Sequence, residues 1–200
     1  MITINPKISF PIEDVLFTFA LASEAADVFT EYKHLICGIG KINAAYNLMK
    51  AIQRDKPKLI VNLGSAGSSH YKKGDIVCCT KFIQRDMDVR GLGYEQYETP
   101  LSELPPILEY GMQMQGIPKA ICGTGDNFEM AHSATIYNVV DMEAYALALV
   151  AMKENIPFVS LKYISDGADG NVAEDWTVQV HKAAVAFGEV LKLNEKAVVI

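Results

Sequence analysis

The sequence has little of what marks several classes of protein. Its four cysteines, Cys37, Cys78, Cys79 and Cys122, form no C-x-x-C pair, and its four histidines lack metal-ligand spacing. No apolar run approaches the roughly 20 residues of a membrane-spanning helix, and the N-terminus lacks the basic and apolar regions of a signal peptide. We therefore expect buried, reduced thiols, no metal, no membrane segment and a cytoplasmic protein.

Positive charge is also scarce. The chain has 18 lysine and arginine residues against 24 aspartate and glutamate residues, which gives a formal net charge of −6. A nucleic-acid-binding protein would need clustered basic side chains, so that class is disfavoured. The 200 residues, 50% hydrophobic and 21% charged, have the composition of a globular enzyme. We expect a single domain over residues 1–200.

Apolar runs alternate with helical patterns along the chain. Strands are predicted at 14–21, 35–37, 59–63, 75–83, 119–122 and 158–164. One helix is predicted to begin at 23–24. Three more helices are predicted over 41–54, 142–153 and 174–193. This alternation predicts an α/β fold, a single three-layer domain with a central mixed, largely parallel twisted sheet flanked by helices.

Two glycine-bearing turns follow predicted strands. The turn at 38–41, Gly-Ile-Gly-Lys, lacks the P-loop pattern, and Asn43 stands where a dinucleotide fingerprint needs its third glycine. It is therefore interpreted as a structural turn. The turn at 64–67, Gly-Ser-Ala-Gly, has small residues that let backbone amides approach a ligand closely.

Acidic residues stand at the ends of several predicted elements. Glu24 follows the first strand, Glu143 opens an apolar helix, and Asp166 lies where a hydrophobic strand ends. Such positions can face the cleft in which open α/β sheets bind ligands. Carboxylates without an obvious metal cage suggest chemistry on a neutral, hydroxyl-rich substrate.

In order along the chain, the motifs combine into a specific pattern. They are Gly-Ile-Gly-Lys-Ile-Asn-Ala-Ala at 38–45, Asn-Leu-Gly-Ser-Ala-Gly at 62–67, Gly-Asp-Ile-Val at 74–77, Asp-Val-Arg-Gly-Leu-Gly-Tyr at 88–94, Thr-Gly-Asp-Asn-Phe at 124–128, Asp-Met-Glu-Ala at 141–144 and Ile-Ser-Asp at 164–166. This succession resembles the nucleoside phosphorylase superfamily, and most closely its methylthioadenosine/S-adenosylhomocysteine nucleosidase branch. The resemblance extends over about residues 15–191.

The resemblance implies cleavage of a purine N-glycosidic bond through an oxocarbenium-like transition state. Asp166 would be the general acid at purine N7, oriented by Ser165. Glu24 would activate the attacking water, which Ser65 helps to hold. The alternatives are a helix cap for Asp166 and a solvated first-turn acid for Glu24.

The resemblance also implies residues that hold the substrate. Glu143 would bind the ribose hydroxyls through charge-assisted hydrogen bonds, and Met142 would lie against the sugar. Phe128 would stack on the purine, although an isolated phenylalanine is more often a core residue. Leu92 and Tyr94 match a segment that lines the pocket for the 5′ substituent, partly from a neighbouring subunit, which implies a homodimer.

The resemblance also indicates whether water or phosphate attacks the sugar. Phosphorylases of this superfamily hold phosphate with arginines, whereas this chain has Ala-Ser-Glu at 22–24 and Asn-Leu-Gly-Ser at 62–65. Water is therefore the predicted nucleophile, and no cofactor is needed.

The predicted activity is that of an N-glycosidic hydrolase, a nucleosidase acting on methylthioadenosine or S-adenosylhomocysteine. Two residues depart from the nucleosidase pattern, since Glu129 follows Phe128 and Arg90 lies in the 5′-side loop. Glu129 would accept the N1–H of a 6-oxopurine, as in the related futalosine hydrolases, and Arg90 would meet an anionic 5′ group; alternatively, both are surface charges. The sequence also leaves open a purine nucleoside phosphorylase and a nucleoside-binding protein without activity.

Overall fold

The computed structural model describes residues 1–129, 134–167 and 173–193. Its strands are β1 (Ile2–Asn5), β2 (Ile8–Phe10), β3 (Val15–Phe19), β4 (His34–Ile36), β5 (Leu59–Gly67), β6 (Ile76–Gln84), β7 (Ile107–Glu109), β8 (Lys119–Thr124), β9 (Val139–Asp141) and β10 (Phe158–Asp166). Its helices are α1 (Ala22–Ala25), α2 (Lys41–Arg54), α3 (Ala144–Lys153) and α4 (Ala173–Val190).

The main sheet is mixed and largely parallel, which confirms the predicted fold class. Strands β4, β3, β5 and β10 lie side by side and parallel. Strand β6 is antiparallel to β10, and β8 and β9 continue parallel to β6. A single antiparallel pair, Gly67 with Val140, connects β9 back to β5. The neighbouring ends of β5, β9 and β10 therefore meet at one place.

Two hydrophobic cores cover the two faces of the sheet. In β3 and β5, Leu16 and Ile60 pack beneath α2 and α3, whereas Phe17 and Val61 face α4 and the β1–β2 hairpin. This alternation follows from the period of two along a strand. The arrangement is the predicted layering of helix, sheet and helix.

Helix α2 has the bounds that its sequence predicts. Its buried residues Ala44, Leu48 and Ile52 recur every four positions, so they form one apolar stripe against the sheet. The first predicted helix is different. Helix α1 is one turn long and ends at Ala26, whose φ of 44° cannot continue a right-handed helix.

Several short elements were not predicted. These are β1, β2, β7 and β9, each of which has three or four residues, too few for a periodic pattern. The predicted helix over 142–153 begins two residues later, because Asp141 ends a strand and its side chain accepts a hydrogen bond from Ala144 N. All four cysteines are buried and free, as expected.

The described part of the chain has no helix with the length and apolar character needed to cross a membrane.

Candidate active site

A cavity of about 460 Å³ opens where β3, β5 and β10 reach their carboxyl ends. Glu24, Glu143 and Asp166 line it, together with Ser65. The three acidic residues are 4%, 8% and 7% exposed, respectively. Parallel strands bring their carboxyl ends to the same edge, which places Glu24 near Asp166. The antiparallel pair of Gly67 with Val140 brings the end of β9, and with it Glu143, to the same place.

Glu24 is held by four hydrogen bonds. Its Oε2 accepts from the backbone N–H groups of Ala20 and Leu21, both at 3.1 Å. Its Oε1 accepts from Ser65 N at 3.0 Å and from Ser65 Oγ at 2.9 Å. A carboxylate has about four acceptor positions, so these donors fill its capacity. Three of the donors are fixed backbone groups, whereas the Ser65 hydroxyl can rotate.

Asp166 ends β10 and lies beside the end of β5. Ser165 Oγ donates to Asp166 Oδ2 at 2.8 Å and lies 3.4 Å from the carbonyl oxygen of Ala66. Ser165 is 1% exposed, so its hydroxyl holds the carboxyl group from the protein side. The arrangement matches the orienting role that the sequence predicted for Ser165, and that role stays a prediction.

Glu143 stands between the end of β9 and the first turn of α3. Its Oε1 accepts from Gly40 N at 2.9 Å, which brings the turn after β4 to the cavity. Burial first, and then the charge of Asp141, raise the pKa of Glu143, whereas Lys162 and the Gly40 N–H oppose the rise; the net pKa is about 7. Glu143 therefore changes its charge near neutral pH.

The turn at 38–41 is structural, as predicted, and also contributes to the cavity wall. Gly38 and Gly40 have φ values of 84° and 88°, which L-residues rarely adopt. Lys41 N donates to Asp126 Oδ1 at 2.8 Å, and the Lys41 ammonium lies 3.5 Å from Asp126 Oδ2. The turn thus connects Glu143 with the loop that carries Phe128.

Phe128, Glu129 and Met142 also line the cavity. Phe128 is 53% exposed, so it is not a core residue. Glu129 Oε2 accepts from Tyr137 Oη at 3.1 Å and lies 3.4 Å from Arg85 Nε. The Glu129 side chain is 13% exposed, which contradicts the interpretation of Glu129 as a solvated surface charge.

The predicted 5′-side residues lie elsewhere. Leu92 and Tyr94 are not among the residues that line the cavity in this chain, and Leu92 is 74% exposed. Arg90 is also exposed and pairs with Asp88, whose Oδ2 lies 2.6 Å from Arg90 Nη2. This pairing agrees with a surface charge for Arg90. The roles of Leu92 and Tyr94 at a 5′ pocket stay predictions.

Two features of the site were missed at the sequence level. Arg85 lines the cavity and donates to the side-chain oxygen of Asn127 at 2.9 Å. Lys162 is 1% exposed and lies 2.8 Å from Asp141 Oδ2 in a buried ion pair. A lysine within the otherwise apolar run of β10 was the available signal for this pair, because lysine is almost never buried unless it is paired.

Within the described residues, no group of three or more histidine, cysteine, aspartate or glutamate side chains is arranged to hold a metal ion.

Comparison with known proteins places the chain in a family. Residues 34–117 and 119–197 match the model of the Phosphorylase superfamily. A 5′-methylthioadenosine/S-adenosylhomocysteine nucleosidase of Haemophilus influenzae (strain PittEE) is 34% identical over 179 residues, which are 80% of this chain and 73% of the relative. The nucleosidase of the same name from Bacillus thuringiensis (strain Al Hakam) is 33% identical over 69% of this chain and 70% of its own length.

Solved structures share the fold. A Helicobacter pylori 5′-methylthioadenosine/S-adenosylhomocysteine nucleosidase superposes with a TM-score of 0.80 at 19% identity, over 92% of this chain and 98% of the other. A futalosine hydrolase of Helicobacter pylori also gives 0.80, at 18% identity, over 90% and 96% of the two chains. From the family match and the relatives in sequence, we conclude that the chain belongs to the phosphorylase superfamily.

Proposed function

We propose that the chain is a nucleosidase, an N-glycosidic hydrolase that cleaves methylthioadenosine and S-adenosylhomocysteine into adenine and a free sugar. The observation that carries the proposal is the convergence of Glu24, Glu143 and Asp166 on one cavity. Binding alone does not need three acidic groups, whereas hydrolysis needs an acid, a base and a group that holds the sugar. The names of the relatives in sequence support the same activity.

Asp166 acts at the leaving base. A purine leaves more readily when its N7 is protonated while C1′ gains positive charge. Asp166 lies at the cavity wall with its carboxyl group held by Ser165, so it is placed to supply that proton. General acid catalysis of this kind contributes roughly 10²–10⁴ in rate. Phe128, exposed at the same cavity, provides a face on which the purine ring stacks.

Glu24 acts on the attacking water, and Ser65 makes room for it. The four donors around Glu24 occupy its acceptor positions in this structure. The Ser65 hydroxyl is the donor that can turn away, so it yields its position on Oε1 to a water hydrogen. The water then loses a proton to Glu24 as its oxygen attacks C1′.

Glu143 holds the ribose from the α3 side of the cavity. Sugar hydroxyls donate to an ionised carboxylate more strongly than to a neutral acceptor. The Gly40 N–H occupies one position on Oε1, and the remaining acceptor positions suit two hydroxyls. Met142, which is partly buried, directly precedes Glu143 and lines the same cavity, where it provides apolar contact with the sugar ring.

The charges around the cavity favour water over phosphate as the nucleophile. Among the described residues that line it, Arg85 is the cationic one, and it is engaged by Asn127 and Glu129. Glu24 stands where an incoming phosphate would meet a like charge. An arginine pair able to grip phosphate is missing from this lining.

A homodimer belongs to the same proposal. Leu92 is largely exposed in one chain, and Tyr94 lies in the same loop. A second copy that places these residues over a neighbouring cavity would complete the apolar pocket for the 5′-thioalkyl group. A cytoplasmic location and a single domain over residues 1–200 remain predictions from the sequence.

A second candidate function has a specific observation in its favour. Glu129 uses Oε2 for Tyr137 and Arg85, whereas Oε1 has no partner among the described residues. An acceptor-only carboxylate on the base side of the cavity suits the N1–H of a 6-oxopurine and faces the N1 lone pair of adenine unfavourably. The second candidate is therefore a 6-oxopurine nucleoside hydrolase of the futalosine hydrolase type.

A substrate panel tests both candidates. The purified chain is incubated in phosphate-free buffer with methylthioadenosine, S-adenosylhomocysteine and the inosine analogue of methylthioadenosine, and the released base is quantified. The main proposal expects release of adenine at the higher kcat/KM. Preference for the inosine analogue, lost in Glu129→Gln, would favour the second candidate. No release from any substrate would refute hydrolysis.

A further inference from the structure

Lys162 is a buried cation that the mechanism above does not use. It lies in the middle of β10, is 1% exposed, and does not belong to the cavity lining. Its ammonium group pairs with Asp141 Oδ2 at 2.8 Å, and both side chains are 1% exposed. A buried charge is costly unless it is paired, so this lysine needs a reason beyond packing.

Asp141 connects this cation to the segment that carries Glu143. Asp141 Oδ2 accepts from Ala144 N at 2.9 Å, and Oδ1 accepts from Thr124 Oγ1 at 2.6 Å. Thr124 Oγ1 in turn accepts from Tyr145 N at 2.9 Å. The first two N–H groups of α3 are thus fixed by side chains from the sheet, and Glu143 directly precedes them.

Glu24 also lies close to the buried cation. A β-carbon placed on Gly64 would lie 3.4 Å from Glu24 Oε1 and 3.5 Å from Lys162 Nζ, so the two charged groups flank this glycine. The ammonium group therefore stands behind the cavity wall, among the three carboxylates of Asp141, Glu143 and Glu24. Lys162 is the positive charge that offsets their mutual repulsion.

We propose that Lys162 is a positioning residue for the hydrolysis proposed above: its ammonium group anchors Asp141 and keeps Glu143 ionised as the acceptor for the ribose hydroxyls. Lys162 does not touch the substrate in this role. It acts through Asp141, which fixes the start of α3, and through the field that it exerts on Glu143.

The charges around the Lys162–Asp141 pair determine in which direction the pKa of Glu143 moves when either residue is replaced. Burial lowers the pKa of Lys162, but the carboxylates of Asp141 and Glu143 raise it, and the net direction is upward. The neighbouring Cys122 and Cys37 have raised pKa values through burial, so both stay neutral thiols. For Glu143, Asp141 raises the pKa, Lys162 lowers it, and Glu24 raises it. Loss of Lys162 should therefore raise the pKa of Glu143, and loss of Asp141 should lower it.

The test compares pH profiles of kcat/KM in variants of the full chain. Lys162→Met should move the acidic limb to higher pH by about one unit or more, and Lys162→Arg should restore the wild-type limb. Asp141→Asn should move the limb to lower pH. The double variant K162M/D141N leaves no buried charge unpaired, and its limb should lie above that of Asp141→Asn. Lys58→Met is the matched control, since Lys58 is exposed and pairs with Asp14, and its limb should stay in place.

A folded Lys162→Met variant with the wild-type limb would overturn the proposal, and so would a double variant whose limb coincides with that of Asp141→Asn. Carbon NMR titration of the Glu143 carboxyl group gives the same comparison without turnover. A wild-type chain that hydrolyses no nucleoside but shows the expected NMR shifts would refute the proposed function and leave the role of Lys162 intact.

Discussion

At the scale of single residues, three carboxyl groups in one cavity have three different surroundings. Glu24 is surrounded by N–H and O–H donors, Asp166 is held by the hydroxyl of a neighbouring serine, and Glu143 is buried beside another acid. Environment assigns different roles to chemically similar groups, as in other enzymes that use paired carboxylates. The family resemblance implies the roles of acid, base and ribose ligand, and these surroundings are compatible with the proposed roles.

Asp166→Asn should reduce kcat at least a hundredfold, because an amide cannot supply the proton that the purine accepts. Substrate binding should remain largely intact, since the side chain keeps its shape. Steady-state kinetics with methylthioadenosine separate the two quantities. A variant with near-normal turnover would remove Asp166 from the mechanism.

The raised pKa of Glu143 predicts how kcat/KM depends on pH. Its pKa is raised to about 7, so the carboxyl group is protonated below that pH and ionised above it. We therefore expect kcat/KM to fall by roughly tenfold per pH unit as the pH drops below about 7. The acidic limb should disappear near this pH in Glu143→Gln, which does not titrate.

Glu143→Ala gives a second readout by ligand binding. Ribose-containing ligands should bind more weakly, whereas adenine alone should bind nearly as before, because it does not reach the ribose side. Calorimetric titration of both ligands measures the difference. Equal losses for the two ligands would contradict the ribose-binding role.

Some of the site residues were accessible from sequence and others were not. Glu24, Glu143 and Asp166 stand at the ends of strands or helices. The succession of motifs along the chain resembles a known family, and this resemblance identified the three residues. Arg85 and Lys162 lie outside these motifs, and their partners are distant in sequence. Only the folded chain shows that each of these cations faces a carboxylate.

At the scale of elements, the turn between β4 and α2 connects two walls of the cavity. The Gly40 N–H binds Glu143, and the Lys41 N–H binds Asp126 next to the Phe128 loop. Gly40 has φ 88° and ψ 157°, a conformation that is essentially restricted to glycine. A β-carbon on Gly40 would lie 3.1 Å from Asp126 Oδ1 and push against this connection.

Gly40→Ala should therefore lower kcat/KM by about tenfold or more, because a hydrogen bond to a charged group is lost or displaced. Gly116→Ala is the matched control, since Gly116 has φ 83° and open space around its Cα. Both variants should lose about 1–3 kcal/mol of unfolding free energy through backbone strain. Thermal unfolding and kinetics on the two variants separate strain from activity, and equal kcat/KM values would contradict the connection.

The longer elements were predictable because burial imposes a period on them. Helix α2 repeats its buried residues every four positions, and β5 and β10 are almost wholly buried, as expected for strands covered on both faces. Strand β9 was not predictable, since its three residues precede α3 without a turn signal. Its position depends on pairing with β8 and β5, which are distant in sequence.

At the scale of the whole molecule, we predict that a second copy of the chain completes the proposed site. Leu92 is among the most exposed apolar side chains, although the resemblance assigns it to the 5′ pocket. A homodimer reconciles the two observations. Light scattering should give twice the mass of one chain, and a fully active monomer would contradict this arrangement.

Leu92→Ser should raise KM for methylthioadenosine and leave the affinity for adenine unchanged, because the apolar contact concerns only the 5′ group. Val185→Ser is the control, since Val185 is an exposed residue on α4, on the face of the sheet opposite α2 and α3. An unchanged KM in Leu92→Ser would remove this residue from the pocket.

The central claim is that water attacks the sugar in a cavity formed by three carboxylates. The most direct test follows cleavage of methylthioadenosine with and without saturating phosphate and identifies the sugar that is released. If the claim holds, the free sugar is released at the same rate in both conditions. A sugar 1-phosphate that appears only when phosphate is present would contradict it.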